Sequence, residues 1–96
     1  MTHPNIIHIL VDDLGYGDFS FFNKGISETP FLDQFIREST CLSQHYTSSP
    51  VCNPSRASLL TGRYPHRTGS IDTLEWRGLE RLDLNEVTIA DILGGA

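Results

Sequence analysis

Apolar residues run almost without interruption through "NIIHILV", Asn5 to Val11, and the run is rich in β-branched side chains. An unalternating stretch of this length predicts a strand buried on both faces, as in a parallel sheet covered by helices. "DDLGYGD" follows at once, so the predicted strand ends in two carboxylates and a glycine-rich turn. Loops beyond the C-terminal ends of strands are where open α/β sheets place their sites. In "ETPFLDQFIREST" the period changes: Phe31, Leu32, Phe35 and Ile36 repeat at helical spacing, with Thr29 as N-cap and Pro30 at the first helical position. "CLSQHYTSS" has mixed polarity and reads as a short strand or an extended segment. "NPSRASLLTG" predicts a second helix, with Asn53 as N-cap, Pro54 at the first position and Gly62 as the C-terminal stop. "RYPHRTGSID" is loop by composition, and "VTIADIL" opens a third helix with Thr88 and Asp91 in capping-box spacing. This order of elements predicts an α/β domain. One central strand needs sheet neighbours that so short a chain scarcely holds, so the pattern reads as the N-terminal piece of a larger domain. Alone, such a piece is expected to fold marginally.

The bulk numbers narrow the class. With 96 residues and 39% hydrophobic content, the chain suffices for one small domain, globular rather than disordered. No apolar run is long enough to span a membrane. "MTHPNIIHILVDD" lacks a basic n-region and a small-residue cleavage site, so it reads as cytosolic unless a leader was removed or omitted. The net charge of −5 argues against nucleic acid as the main partner. Its distribution is uneven. Asp12, Asp13, Asp18, Glu28 and Asp33 face only Lys24 in residues 1–36, whereas Arg37, Arg56, Arg63 and Arg67 face only Glu38 in residues 37–67. That arrangement suits a cation site beside an anion site, although chance in a short chain would also produce it.

The adjacent carboxylates Asp12 and Asp13 repel each other, and a bound hard cation such as Ca²⁺ or Mg²⁺ would relieve that repulsion. A turn-capping pair ahead of Gly15 is the ordinary alternative. Gly15-Tyr16-Gly17 lacks the third glycine of a dinucleotide fingerprint and reads as turn chemistry. The cysteines, Cys41 and Cys52, are too few for a disulfide scaffold. Cys52 stands just before a predicted helix N-terminus, where free N–H groups favour an anion, and Arg56 follows four residues on. A thiolate, a bound sulfate or a bound phosphate would be stabilised there, and a buried Cys acting as a small hydrophobe is the bland alternative. A cysteine phosphatase would want arginine six residues after the thiol, where this chain has Ser58, and Cys41, His45, Cys52 and His66 form no tight zinc-ligand pairs.

Cys52-Asn53-Pro54-Ser55-Arg56, followed by "ASLLTGRYPHRTG", resembles the signature of the formylglycine-dependent sulfatases of the alkaline phosphatase superfamily. "PNIIHILVDDLGYGD" looks like that family's first strand with its metal-binding Asp pair, "TPFLDQFIREST" like its first helix and "VTIADIL" like the start of a later one. The resemblance implies an alkaline-phosphatase-like mixed sheet flanked by helices, of which residues 1–96 are the N-terminal part. It implies a sulfuric ester hydrolase in which a formylglycine-generating enzyme oxidises Cys52 to an aldehyde. One hydroxyl of the hydrated aldehyde attacks the sulfur of a sulfate ester, and the second expels sulfate afterwards. By the same resemblance Asp12, Asp13 and the oxygen made from Cys52 hold Ca²⁺ or Mg²⁺. Arg56 orients the modified residue, and Ser55, Pro54 and the "LTGR" segment serve the modifying enzyme. A second metal-ligand pair, a general-acid histidine and sulfate-gripping lysines belong further along the family's sequence, so the 96-residue chain alone is expected to be inactive. His8 reads as a packed strand residue and His66 as a loop-structuring one. Asn53 fills a position that is more often small, and "FSFFNKG" replaces a short glycine-containing stretch, shaping a pocket or merely packing. A phosphonate or phosphate ester hydrolase of the same superfamily, or a non-catalytic fragment, would carry the same motif.

Overall fold

The computed structural model describes residues 4–73 and 80–94. The chain divides into two compact units, Met1–Ser43 and Gln44–Ala96.

In the first unit, residues 4–11 form no regular element, and no β-strand occurs among the described residues. Ile6, Ile7 and Ile9 are 69, 87 and 79% exposed. The strand predicted over Asn5–Val11 is thus not formed among the described residues. A strand is made by hydrogen bonds to a neighbour, and the described residues offer this apolar run none. Residues 41–49, read as short strand or extended, likewise contain no strand. After a 3-10 turn at Tyr16–Asp18 comes α1, Ser20–Asn23, within the "FSFFNKG" stretch for which the sequence predicted no helix. Lys24 closes it in the left-handed region at φ 62°, and the Asn23 Oδ1 accepts from the N–H groups of Gly25 and Ile26 at 2.9 and 3.0 Å. Tyr16 stacks on Phe22 with centroids 4.1 Å apart.

Helix α2, Pro30–Glu38, starts where the sequence predicted, with Thr29 at the cap position and Pro30 first. Its apolar face is not covered: Phe31 is 86% and Phe35 67% exposed. The residue it buries is Asp33. That carboxylate accepts from the Ser20 hydroxyl at 2.7 Å, the Thr29 hydroxyl at 2.8 Å and the Phe21 N–H at 3.1 Å, tying α1 to α2. Each hydroxyl has one proton, and both go to the carboxylate. The 2.9 Å between the Ser20 and Thr29 oxygens is therefore packing rather than a further bond. Instead the two backbones cross-bond to these oxygens: Ser20 N–H donates to Thr29 Oγ1 and Thr29 N–H to Ser20 Oγ, both at 2.9 Å.

In the second unit, α3 spans Cys52–Thr61 and ends on Gly62, which adopts φ 67° and donates its N–H to Ser58 O at 2.8 Å. Glycine suits this left-handed C-terminal position. Pro54 and Ala57 are the buried residues of α3. The loop beyond contains a 3-10 turn at Pro65–Arg67, and His66 there stacks on Tyr64 with centroids 5.8 Å apart. Thr68 is fully buried; its O accepts from Asp83 N–H at 2.9 Å. Helix α4, Ile89–Leu93, begins with the predicted capping box: Thr88 N–H donates to Asp91 Oδ2 at 2.8 Å, and Asp91 N–H to Thr88 Oγ1 at 3.4 Å.

Gly69 lies close against the backbone at Arg81 and Asp83. Its φ is +79°, and a Cβ there would stand 3.0 Å from the backbone O of Arg81. Gly69→Ala should thus destabilise the unit twice over, through backbone strain and through a clash with unyielding backbone, by about 2 kcal/mol. A lowered thermal midpoint checks this; an unchanged one would show that the 69–81 approach does not form.

Two carboxylates make the fold sensitive to acid. Burial pushes the Asp33 carboxyl up, but hydrogen bonds from Ser20, Thr29 and Phe21, helped by the Arg37 guanidinium, outweigh it and leave it lowered from the ordinary 3.8. Hydrogen bonds from the Thr88 side chain and backbone lower Asp91 in the same sense. A depressed carboxyl stabilises the fold fully above its unfolded value, and that stabilisation is lost as the pH falls through the folded value. Helical circular dichroism is therefore expected to hold from neutrality down to pH 3.8 and to fall below it. Acid loss beginning near pH 6 would point to other groups.

Candidate active site

Asp12 and Asp13 occupy the bend that follows the apolar segment, and both are exposed. Asp13 has φ 54°. Left-handed backbone is uncommon outside glycine, Asp being one of the residues that tolerate it, and such conformations gather at functional loops. The loop after the pair is closely bonded. Gly15 N–H donates to Asp18 Oδ2 at 2.6 Å, the Asn23 carboxamide donates to Gly17 O at 2.7 Å, and Ser27 Oγ donates to Asp18 O at 2.5 Å. Asn23 and Asp33 thus tie down the segment that follows the Asp pair, through Gly17 and through Ser20 and Phe21. Sequence reasoning overlooked both. Asn23 two residues before Gly25 was the available signal, since Asn side chains bond the backbone two residues on in such turns; Asp33 carried none.

Cys52 is the first residue of α3, not the residue before it. The predicted cap, Asn53, is instead the second helical residue, and Pro54 the third. Val51 takes the cap position with no side-chain cap bond. The helix begins two residues early because Ser55 N–H already reaches Val51 O at 3.1 Å, and Pro54, lacking an N–H, costs nothing in a first turn whose N–H groups have no helical acceptor. Cys52 and Arg56 are both exposed and stand four residues apart, one above the other on one side of the helix. The opposite side is turned inward through Pro54 and Ala57. Cys41 is also a free, exposed thiol, and no disulfide joins the two cysteines.

The residues around this helix start hold it in place. The Asn53 carboxamide donates to Asp72 O at 2.7 Å and to Glu80 O at 3.2 Å. At the other end Arg63, the last residue of "LLTGR", meets Glu86 at 2.5 Å. The Glu86 side chain is only 7% exposed, so this arginine neutralises a nearly buried carboxylate.

Among the described residues no three His, Cys, Asp or Glu side chains gather into a metal cage. The donor chemistry of Asp12 and Asp13, oxygen only and doubly anionic, fits a hard divalent cation. Two carboxylates do not fill the six to eight positions Ca²⁺ takes. No described helix is long and apolar enough to cross a membrane.

Comparison with known proteins agrees with these features. Residues 4–96 match the family model described as Sulfatase. The chain is 42% identical over 96 residues to human arylsulfatase D, covering 94% of this chain and 16% of that protein. Over 66 residues it is 48% identical to mouse steryl-sulfatase, covering 69% of this chain and 11% of that one. Pig N-acetylgalactosamine-6-sulfatase is 42% identical over 92 residues, with 96% of this chain and 16% of that protein covered. No solved structure matches the chain. The chain thus spans about a sixth or less of the length of these relatives. A family match running from the apolar segment through the Asp pair and the Cys52 helix to α4 leaves one conclusion: the chain belongs to the sulfatase family.

Proposed function

We propose that this chain supplies the N-terminal part of a sulfuric ester hydrolase, with residue 52 as the precursor of its nucleophile. The observation carrying the reading is the exposed Cys52 at the start of α3, with Arg56 one turn on, in the C-x-P-S-R context of a matched sulfatase domain. Oxidised to formylglycine and hydrated, residue 52 would supply the attacking hydroxyl, and a divalent cation would polarise it. Asp12, Asp13 and residue 52 would hold that cation.

The chain's own residues serve this chemistry in definite ways. Helix α3 keeps residue 52 exposed while anchoring itself through Pro54 and Ala57. The N–H of Cys52 and that of Asn53 belong to the first turn, which favours an anionic sulfate. Arg56 adds a fixed positive charge on the same side and can donate to a sulfate oxygen in paired fashion. The continuous apolar run of residues 5–11, within the matched sulfatase domain, supports its assignment to a strand of an alkaline-phosphatase-like α/β sheet, formed when sheet neighbours are supplied.

Mass spectrometry of the Glu38–Arg56 peptide, after co-expression with a formylglycine-generating enzyme, tests the reading. An aldehyde at residue 52, trapped by hydroxylamine, is the expected product. A thiol persisting there while a control substrate is converted would reduce the family match to ancestry.

A further inference from the structure

Asn53 occupies the variable position of C-x-P-S-R, and the polar bridge it makes is specific to a carboxamide. Both of its donor protons are engaged, one with Asp72 O at 2.7 Å and one with Glu80 O at 3.2 Å. Neither a hydroxyl nor a methyl at this position could satisfy two backbone carbonyls at once. The bridge lies next to residue 52 and at the end of α3 that lacks a side-chain cap. Helix starts are ordinarily fixed by a cap bond to the second or third N–H. Here Val51 offers no such bond, and Pro54 at the third position has no N–H to receive one. Asn53 fixes the helix start from outside instead, by fastening it to the segment that runs from Glu80 to Asp83 and lies against Gly69.

We propose that Asn53 is a positioning residue: its carboxamide, bridging Asp72 O and Glu80 O, sets the backbone of residue 52 and so the direction in which the nucleophile precursor is presented. The importance of that direction rests on the function proposed above; the bridge and its effect on residue 52 do not. Asn53→Asp is the sharpest probe, because it keeps the size and shape but replaces the donor by an anionic acceptor facing two carbonyls. Asn53→Ala removes the donor without adding repulsion.

The test is amide exchange and chemical shift by NMR on the isotopically labelled 96-residue chain, unmodified at Cys52. Ser55 N–H reports on the first turn and Gly62 N–H on the last, since each donates to a helical carbonyl, at 3.1 and 2.8 Å. In Asn53→Asp, exchange at Ser55 is expected to rise roughly fivefold to thirtyfold, the effect of one or two lost hydrogen bonds. The Cys52 Cα and Cβ shifts should leave helical values, while Gly62 changes by less than about twofold; Asn53→Ala should fall between Asp and wild type. Equal rises at Ser55 and Gly62 would mean that Asn53 merely supports the fold, and the proposal would be overturned. So would unchanged Cys52 shifts in Asn53→Asp, or unprotected Ser55 in the wild type. Should Cys52 never be converted to an aldehyde, the functional reading would fail while this exchange pattern stood, so the two failures are separable.

Discussion

Cys52→Ser is expected to abolish aldehyde formation by a formylglycine-generating enzyme completely, while Cys41→Ser leaves it intact. Both thiols are free and exposed, so accessibility does not separate them. Sequence and local structure do. Cys52 opens a helix and is followed by Pro54, Ser55 and Arg56, whereas Cys41 lies in irregular chain with none of these around it. The conversion starts from a carbon–sulfur bond that serine lacks, so the effect is all or none rather than graded. Hydroxylamine trapping followed by fragmentation of the Glu38–Arg56 peptide, which holds both positions, reads the two variants in one experiment. Aldehyde at position 41, or its survival in Cys52→Ser, would remove residue 52 from the proposed role.

Asp33→Ala is expected to damage the first unit far more than Phe31→Ser, the reverse of what the helical pattern of α2 would imply. Phe31 is 86% exposed, and removing it takes away little contact. Asp33 is the shared acceptor of two hydroxyls and one N–H, and those donors would be left partly enclosed without it. Donors stranded in this way lose more than the bond itself, because they no longer reach water either. The expected readout is loss of most amide protection in α2 for Asp33→Ala, with protection in α3 unchanged. Phe31→Ser should behave within the small range of ordinary surface changes. Equal protection in both variants would show that the Ser20–Thr29–Asp33 cluster does not hold α1 to α2.

What could be read from the sequence was what is local. Thr29-Pro30 placed the start of α2, Gly62 the end of α3, and Thr88 with Asp91 the start of α4, because each signal acts within one turn. The Asp pair and the C-x-P-S-R helix were also legible, since their chemistry is written in adjacent residues. Three things were not. The strand over residues 5–11 depends on neighbours in space, and periodicity cannot supply them. The burial of Asp33 was hidden because an acid beside an apolar stripe reads as the solvent face. The start of α3 was misplaced by two residues because Asn53 looks like a cap, and its real acceptors are backbone carbonyls at Asp72 and Glu80, which carry no side-chain signature.

The fastening of α3 also orders events in time. Its helical bonds join residues a turn apart and can close in well under a microsecond. The bridges from Asn53 span 19 and 27 residues, and the Arg63–Glu86 pair spans 23. Closed from the open chain, the 27-residue loop costs only about 0.3 kcal/mol more chain entropy than the 19-residue one, from the logarithmic dependence on loop length, so neither bridge has an entropic lead. The two halves of the Asn53 bridge should therefore form nearly together, after the helix and not before it. During refolding the stretch from Cys52 to Thr61 is therefore expected to sample helix before it is fastened, and to persist as helix only once these bridges have closed.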